Sequence, residues 1–271
     1  MAAHSKEISN EKLPPLSRRD FLKLLGIAGV STAVAKVVVD SPLFPYHSVV
    51  AAPGARPSLH SWAMVIDLEN CIGCDRCTYA CQATNNLPDD IHWNVVTPEV
   101  TSMGKEYFLP RPCLHCENPP CTDVCPVGAT YKREDGLVVM DYDKCIGCRY
   151  CQVACPYGAR SFNWSPPEPG SYSPEYGDPE VEQRPRGVVE KCTFCIHRID
   201  AGLAVGLTPG EDVEATPACC NACPAEARFF GDLNNPNSRV SRLIAERAYV
   251  RLRDELGTAS RVYYLLPQGG L

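Results

Sequence analysis

Hydrophobic residues along this chain form short runs rather than long periodic segments. Two four-residue runs, Ala63–Ile66 and Leu137–Met140, predict short strands. Near the carboxyl terminus, apolar residues recur at helical spacing over 238–256, which predicts a helix that stops at Gly257. The segment Arg261–Leu266 then predicts a final strand.

A proline-rich segment separates these elements. Residues 165–187 contain six prolines, so we expect an extended, non-helical surface loop there. No stretch after residue 52 is apolar and long enough to cross a bilayer, which takes about 20 residues. The mature chain is therefore expected to be water-soluble or peripheral to a membrane.

One weakly apolar run near the amino terminus, Leu24–Ala35, is also too short to span a bilayer. It follows the adjacent arginines Arg18 and Arg19, a combination typical of a twin-arginine export signal, here assigned to 1–52. An ordinary amphipathic helix is the alternative, and the signal is either cleaved near residue 52 or kept as an anchor. The twin-arginine route exports folded proteins, so this pattern predicts a peripheral protein in the periplasm or on the outer face of the cytoplasmic membrane.

The cysteine content sets the chain apart from an ordinary globular protein. Its 271 residues include 17 cysteines, 25 prolines and 19 glycines, which indicates many loops and a source of order besides an apolar core. Bound metal would supply that order, because metal binding is coupled to folding. The net charge of −6 argues against a nucleic-acid partner, and no nucleotide-binding or hydrolytic motif is present.

Sixteen of the cysteines fall into four groups. These are Cys71, Cys74, Cys77 and Cys81; Cys113, Cys116, Cys121 and Cys125; Cys145, Cys148, Cys151 and Cys155; and Cys192, Cys195, Cys219 and Cys223. Groups one and three share the spacing C-x2-C-x2-C-x3-C and align without a gap, so the chain contains an internal duplication. The seventeenth, Cys220, is the weaker candidate in group four, because the three-residue gap before Cys-Pro in groups two and three selects Cys219.

The spacing C-x2-C-x2-C-x3-C followed by proline is the signature of bacterial ferredoxins, in which the fourth cysteine binds a second [4Fe–4S] cluster. Two-residue gaps let thiolates converge on one cluster, and a helical turn then directs the fourth thiolate away. Zinc and a disulfide scaffold are the alternatives. The spacing favours clusters over both, and His115 and His197, which lie beside cysteines, are predicted to pack or to hydrogen-bond.

On these motifs the chain resembles the four-cluster electron-transfer subunits of complex iron–sulfur molybdoenzymes. That family includes subunits of polysulfide, tetrathionate and dimethyl sulfoxide reductases and nitrite-reductase-associated ferredoxin-like proteins. The resemblance covers about residues 61–265 and rests on five sequences. They are Asp-Leu-Glu-Asn-Cys-Ile-Gly-Cys at 67–74, Cys-Leu-His-Cys-Glu-Asn-Pro-Pro-Cys at 113–121, Lys-Cys-Thr-Phe-Cys-Ile-His-Arg at 191–198, Pro-Ala-Cys-Cys at 217–220 and Phe-Gly-Asp-Leu-Asn-Asn-Pro-Asn-Ser at 230–238.

The resemblance implies an α+β fold of two bacterial-ferredoxin-like lobes, each holding two of four [4Fe–4S] clusters. The implied regions are lobe A (61–112 and 188–235), lobe B (113–164), the proline-rich loop (165–187) and a C-terminal helix–strand docking extension (236–271). The implied ligand sets are Cys71, Cys74, Cys77 and Cys223; Cys81, Cys192, Cys195 and Cys219; Cys113, Cys116, Cys121 and Cys155; and Cys125, Cys145, Cys148 and Cys151.

For function, the resemblance implies electron transfer without catalysis. The chain would relay electrons between a quinone-reactive integral membrane subunit and a catalytic subunit that contains molybdopterin. It would bind no small-molecule substrate of its own. A freestanding periplasmic polyferredoxin and the electron-transfer subunit of a periplasmic hydrogenase are the alternatives.

Overall fold

A computed structural model describes residues 58–267, so the predicted export signal lies outside the described residues. The strands are β1 (Trp62–Asp67), β2 (Val95–Val100), β3 (Glu106–Arg111), β4 (Thr130–Lys132), β5 (Val138–Met140), β6 (Ser161–Phe162), β7 (Val189–Glu190), β8 (Arg228–Asp232), β9 (Tyr249–Val250) and β10 (Val262–Leu265). The helices are α1 (Arg76–Thr84), α2 (Pro120–Asp123), α3 (Tyr150–Ala154), α4 (Ser173–Tyr176), α5 (Ile196–Ala204), α6 (Ala218–Asn221) and α7 (Arg239–Glu246), and a 3₁₀ turn spans Asp254–Leu256.

Strand β1 occupies the middle of a four-stranded sheet with the order β8-β1-β10-β9. It runs parallel to β10 and antiparallel to β8. All six of its residues are buried, so both faces of the strand are covered. Met64 and Ile66 point into the main core with the cysteines, whereas Val65 packs with Val240 of α7 on the opposite face. Alternating side chains of one strand thus hold the two layers together.

The remaining strands form three two-stranded ribbons, β2-β3, β4-β5 and β6-β7. All three pair antiparallel. The predicted strands at β1, β5 and β10 are confirmed. β10 lies within the predicted docking extension and at the same time completes the central sheet beside β1.

The predicted helix over 238–256 is too long, because α7 ends at Glu246. The predicted start is confirmed, because Ser238 is the N-cap residue of α7. Its hydroxyl accepts a hydrogen bond from the Ser241 amide at 3.2 Å. At its end, Arg247 forms an ion pair with Asp67 and donates to the Leu266 carbonyl at 3.1 Å. These contacts turn the chain into β9, which pairs with β10.

The proline-rich segment is mostly loop, as predicted, but it contains the single helical turn α4. Pro174 stands in the first turn of α4, where its missing amide hydrogen costs nothing. The Ser171 amide donates to Asp89 at 2.8 Å, and the Tyr172 ring centroid lies 5.2 Å from that of Tyr79 in α1. The loop is therefore fastened to the rest of the described chain. None of the helices in residues 58–267 is long and apolar enough to cross a membrane.

Candidate metal centres

All seventeen cysteines lie in the described part of the chain, where every thiol is free and no disulfide forms. Within residues 58–267 no three His, Cys, Asp or Glu side chains converge on a point that would hold one metal ion. Two sets of four cysteines line cavities, and a third set of four is buried together. Each of these three sets draws on more than one sequence group.

The first set lines a cavity that we name the first pocket. Its cysteines are Cys71, Cys74, Cys77 and Cys223. The turn before α1 supplies the first two, α1 supplies Cys77, and Cys223 arrives from the far end of the sequence. Asn94 Nδ2 donates to Cys77 Sγ at 3.3 Å, and the Ala227 amide donates to Cys223 Sγ at 3.3 Å.

A second cavity, the second pocket, has the same construction. Its cysteines are Cys113, Cys116, Cys121 and Cys155. Three come from group two and one from group three, and the rest of the wall is mostly apolar, including Leu114, Val138 and three prolines. Burial, followed by the neighbouring Cys113 thiolate, raises the pKa of Cys116 to about 12. Burial thus favours the neutral thiol of Cys116, and a neighbouring cation would favour its thiolate.

The buried group is the third set, and all four of its cysteines are shielded from solvent: Cys81, Cys192, Cys195 and Cys219. Burial, and then the charges of the other three, raises the pKa of Cys81 well above its usual value. The Asn85 side-chain amide donates to Cys81 Sγ at 3.5 Å and to Cys195 Sγ at 3.6 Å. The Phe194 amide donates to Cys192 Sγ at 3.4 Å. Hydrogen bonds are thus in place to stabilise thiolates in this set.

The fourth set implied by the resemblance is named the surface group and comprises Cys125, Cys145, Cys148 and Cys151. Cys148 is exposed, Cys125 and Cys145 are half-buried, and only Cys151 is buried. Cys145 and Cys125 both act on the pKa of Cys151, so the three lie close together. Burial opposes ionisation of Cys125, but backbone amides led by those of Thr130 and Val127 outweigh it and lower its pKa.

Cys220 forms a thiol pair with Cys219. The Cys220 thiol hydrogen-bonds the Cys219 sulfur, which lowers the pKa of Cys219 to about 6 and raises that of Cys220. Cys219 is buried and its charge acts on Cys81 of the same group, whereas Cys220 is only half-buried. The gap-based preference for Cys219 as the ligand stays a prediction.

His115 is fully buried and serves as a structural bridge, in agreement with its predicted role. The Val138 amide donates to Nδ1 at 3.1 Å, so Nε2 carries the proton that is donated to the Cys192 carbonyl at 3.0 Å. Burial lowers the pKa of His115 well below its usual value, which keeps the ring neutral. The ring also stacks on Phe194, with centroids 3.8 Å apart.

Sequence reasoning missed two arginines at these centres. Arg228 lines the first pocket and Arg160 lines the second. Each follows the same short motif, Cys-Pro-x-x-Ala-Arg, after Cys223 and Cys155 respectively. The repetition of that arginine was the available signal.

Comparison with known proteins shows three matching regions. A family described as "4Fe-4S dicluster domain" matches residues 104–168, and a second family of the same description matches 144–227. A "4Fe-4S binding domain" matches residues 62–83. Between them these regions hold every cysteine of the chain.

Several named proteins are similar over most of their length. The iron–sulfur cluster-binding subunit of menaquinone reductase from Nitratidesulfovibrio vulgaris is 45% identical over 75% of this chain and 88% of that protein. The iron–sulfur subunit of arsenate respiratory reductase from a Shewanella species is 40% identical over 74% and 94%. Iron–sulfur subunit 1 of the Hdr-like menaquinol oxidoreductase from Archaeoglobus fulgidus is 37% identical over 92% and 97%.

Proposed function

Because this chain belongs to the family of iron–sulfur electron-transfer subunits of multi-subunit respiratory reductases, we propose that it relays electrons through four [4Fe–4S] clusters held in two ferredoxin-like halves. The observation that carries the proposal is the construction of the two pockets. Each is lined by three cysteines from one sequence group and a fourth from another, which is the arrangement that paired cubane clusters need.

The residues present suit such clusters. The first pocket, the buried group, the second pocket and the surface group each provide four cysteines, and these are the four ligand sets implied by the resemblance. Hydrogen bonds from Asn94, Asn85 and the amides of Phe194 and Ala227 already point at sulfur atoms. When bound, a [4Fe–4S] cluster accepts and donates one electron at a time.

The protein residues determine the order of the proposed clusters and how far each cluster is shielded from solvent. The charge of Cys113 in the second pocket acts on the pKa of Cys192 in the buried group, so these two sets are neighbours. The proposed series therefore runs from the first pocket through the buried group and second pocket to the surface group. Its two end sets each contain an exposed cysteine, Cys74 and Cys148, whereas the buried group contains none. Exposed ends are where electrons would enter and leave.

We further propose the partners and location on sequence grounds. A catalytic subunit containing molybdopterin would meet one end of the series, and a quinone-reactive membrane subunit would meet the other. The arginine pair at Arg18-Arg19 supports export by the twin-arginine route to the periplasm or the outer face of the cytoplasmic membrane.

The test is metal analysis of anaerobically purified full-length chain. We expect about 16 iron atoms and about 16 acid-labile sulfides per polypeptide, with EPR signals after dithionite reduction. Cys219→Ser should lower the iron content by about four atoms, because it removes one ligand of one cluster. The matched variant Cys220→Ser should retain the full content.

Zinc in place of iron, or a colourless protein without an EPR signal, would contradict the proposal. Copurification separates the subunit role from the alternatives. A subunit should be recovered with a large catalytic partner and a membrane partner, whereas a polyferredoxin carrier would be recovered alone.

A further inference from the structure

Three basic side chains are buried among the cysteines: Arg228, Lys191 and Arg160, at 4%, 1% and 4% exposure. A buried cation ordinarily needs a carboxylate partner, because removing a charge from water is costly. Within residues 58–267 none of the three forms an ion pair with Asp or Glu. Their compensating negative charge must come from elsewhere, and the nearest sources are thiolates.

Arg228 lies between the first pocket and the buried group. Its Nη1 donates to Asn94 Oδ1 at 2.8 Å and its Nη2 to Met64 Sδ at 3.4 Å, both neutral acceptors, while Nε has no partner in the described structure. Burial opposes the charged guanidinium, but the thiolates of Cys219 and Cys77 outweigh it and raise the pKa of Arg228. One of these cysteines belongs to each neighbouring set.

Arg160 occupies the corresponding place between the second pocket and the surface group. Its Nη2 donates to Thr130 Oγ1 at 2.9 Å and its Nη1 to Met140 Sδ at 3.1 Å. Burial again opposes the charge, and thiolates led by Cys121 and Cys151 overcome it and raise the pKa of Arg160. Both arginines thus use one methionine sulfur and one neutral oxygen, and both interact electrostatically with two cysteine sets.

Lys191 fills the remaining junction, between the buried group and the second pocket. Its ammonium donates to the carbonyl of Val138, which lines the second pocket, and to that of Cys192 at 2.8 Å. Its charge acts on Cys192 of the buried group and on Cys121 of the second pocket. Carbonyl oxygens hold the ammonium in place without cancelling its charge.

We propose that Arg228, Lys191 and Arg160 are fixed cations at the three successive junctions of the cluster series, each raising the reduction potentials of the two clusters that it separates. This inference rests on the proposed function. In each transfer one cluster is oxidised by one electron and its neighbour is reduced by the same electron. A cation between them favours the reduced form of both, so it raises both potentials while the electron moves past it.

The test is an EPR-monitored redox titration of the full-length chain carrying Arg228→Gln, Lys191→Gln or Arg160→Gln. Each variant should lower two potentials. The reduced-to-oxidised ratio at fixed potential should fall about tenfold at both affected clusters, which is about 59 mV for one electron. Arg228→Gln should affect the clusters of the first pocket and the buried group. Lys191→Gln should affect those of the buried group and the second pocket, and Arg160→Gln those of the second pocket and the surface group.

Two controls separate charge from packing. Arg133→Gln removes the same charge from an arginine that pairs with Asp135 and Asp200, and it should leave all four potentials unchanged. Arg228→Lys keeps the charge on a shorter chain and should shift the ratio less than Arg228→Gln. Equal shifts in Arg228→Lys and Arg228→Gln would assign the effect to packing and overturn the inference.

Iron and sulfide content is measured first on every sample. A wild-type content well below four clusters would contradict the proposed function itself. Four clusters with unchanged potentials in all three neutral variants would contradict only the role of the cations. If one variant fails to assemble its clusters, the other two carry the same test at their own junctions.

Discussion

The two duplicated segments, 71–81 and 145–155, begin alike and end differently. In both, the Cys-Ile-Gly-Cys turn has a glycine at φ near +68° (Gly73) or +67° (Gly147), and a left-handed residue precedes the helix. The helices then diverge, because α1 has nine residues and α3 has five. The same four-cysteine motif therefore leads to two depths of burial.

The residue after the fourth cysteine explains the divergence. Cys155 is followed by Pro156, and a residue before proline is disfavoured in the helical region, so Cys155 is extended at φ −76° and ψ 112°. Cys81 is followed by Gln82, the helix continues, and Cys81 is buried within it. One cysteine lines the wall of the second pocket, whereas the other enters the buried group.

The strongest test of this comparison is Gln82→Pro, which gives the first segment the proline of the second. Proline inside a helix costs about 3 kcal/mol or more and would move Cys81 out of its helical conformation. We expect a fall of at least about 3 kcal/mol in the free energy of unfolding and a loss of about four iron atoms. Denaturant unfolding and iron analysis measure both, and wild-type values for Gln82→Pro would refute the explanation.

The next test substitutes the two turn glycines. Alanine at either position should lower the free energy of unfolding by about 1–2 kcal/mol, because the left-handed conformation is unfavourable for a residue with a Cβ atom. At Gly147 the added Cβ would also overlap the backbone carbonyl of Gly187, whereas at Gly73 it would meet the Phe108 ring, which can change rotamer. Gly147→Ala should therefore destabilise the protein more than Gly73→Ala, by about 1 kcal/mol in thermal or denaturant unfolding. If Gly73→Ala destabilised the protein more than Gly147→Ala, the contacts of these two glycines would not determine the cost of the substitutions.

A smaller effect is expected at Asn85, which lies four residues after the first segment. The aligned position after the second segment is Ala159, so this amide has no counterpart there. Asn85→Leu removes the N–H donors to Cys81 and Cys195, and such donors raise cluster potentials. One potential should fall by roughly 60 mV, a tenfold change for one electron. Asn221→Leu, whose amide bonds only carbonyl oxygens near the same group, is the control and should leave it unchanged.

The smallest effect belongs to Pro156→Gln, the reverse of the first substitution. Cys155 would be free to become helical, but Tyr157 is still held by its hydrogen bond to the Leu252 carbonyl at 3.2 Å. We expect a change of less than about 1 kcal/mol in unfolding free energy and a full iron content. Loss of iron from Pro156→Gln would show that the Tyr157 hydrogen bond does not keep Cys155 extended once the proline is removed.

Much of the site follows from sequence because its ligands are local. Spacing alone identified the four groups, the duplication and the preference for Cys219 over Cys220. The crossing of fourth cysteines between groups came from a family resemblance, since no local rule states which distant group Cys81 joins. The buried cations were missed because burial of Arg160 and Lys191 depends on contacts far along the chain.

The fold was predictable to a similar degree. Short apolar runs identified β1, β5 and β10, but the helical spacing after residue 246 was misleading. Leu252 keeps its apolar role by packing on the main core from an irregular segment. The competing force there is the pairing of β9 with β10, which periodicity cannot detect.

The central sheet has a consequence for synthesis. Both neighbours of Trp62–Asp67 follow it far along the chain, as Arg228–Asp232 and Val262–Leu265, so the sheet closes only after residue 265 has been synthesised. A translation product that stops before Val262 would expose a buried apolar strand along one open edge. Such an edge invites aggregation, so truncated copies should be removed by cellular quality control before they compete for iron.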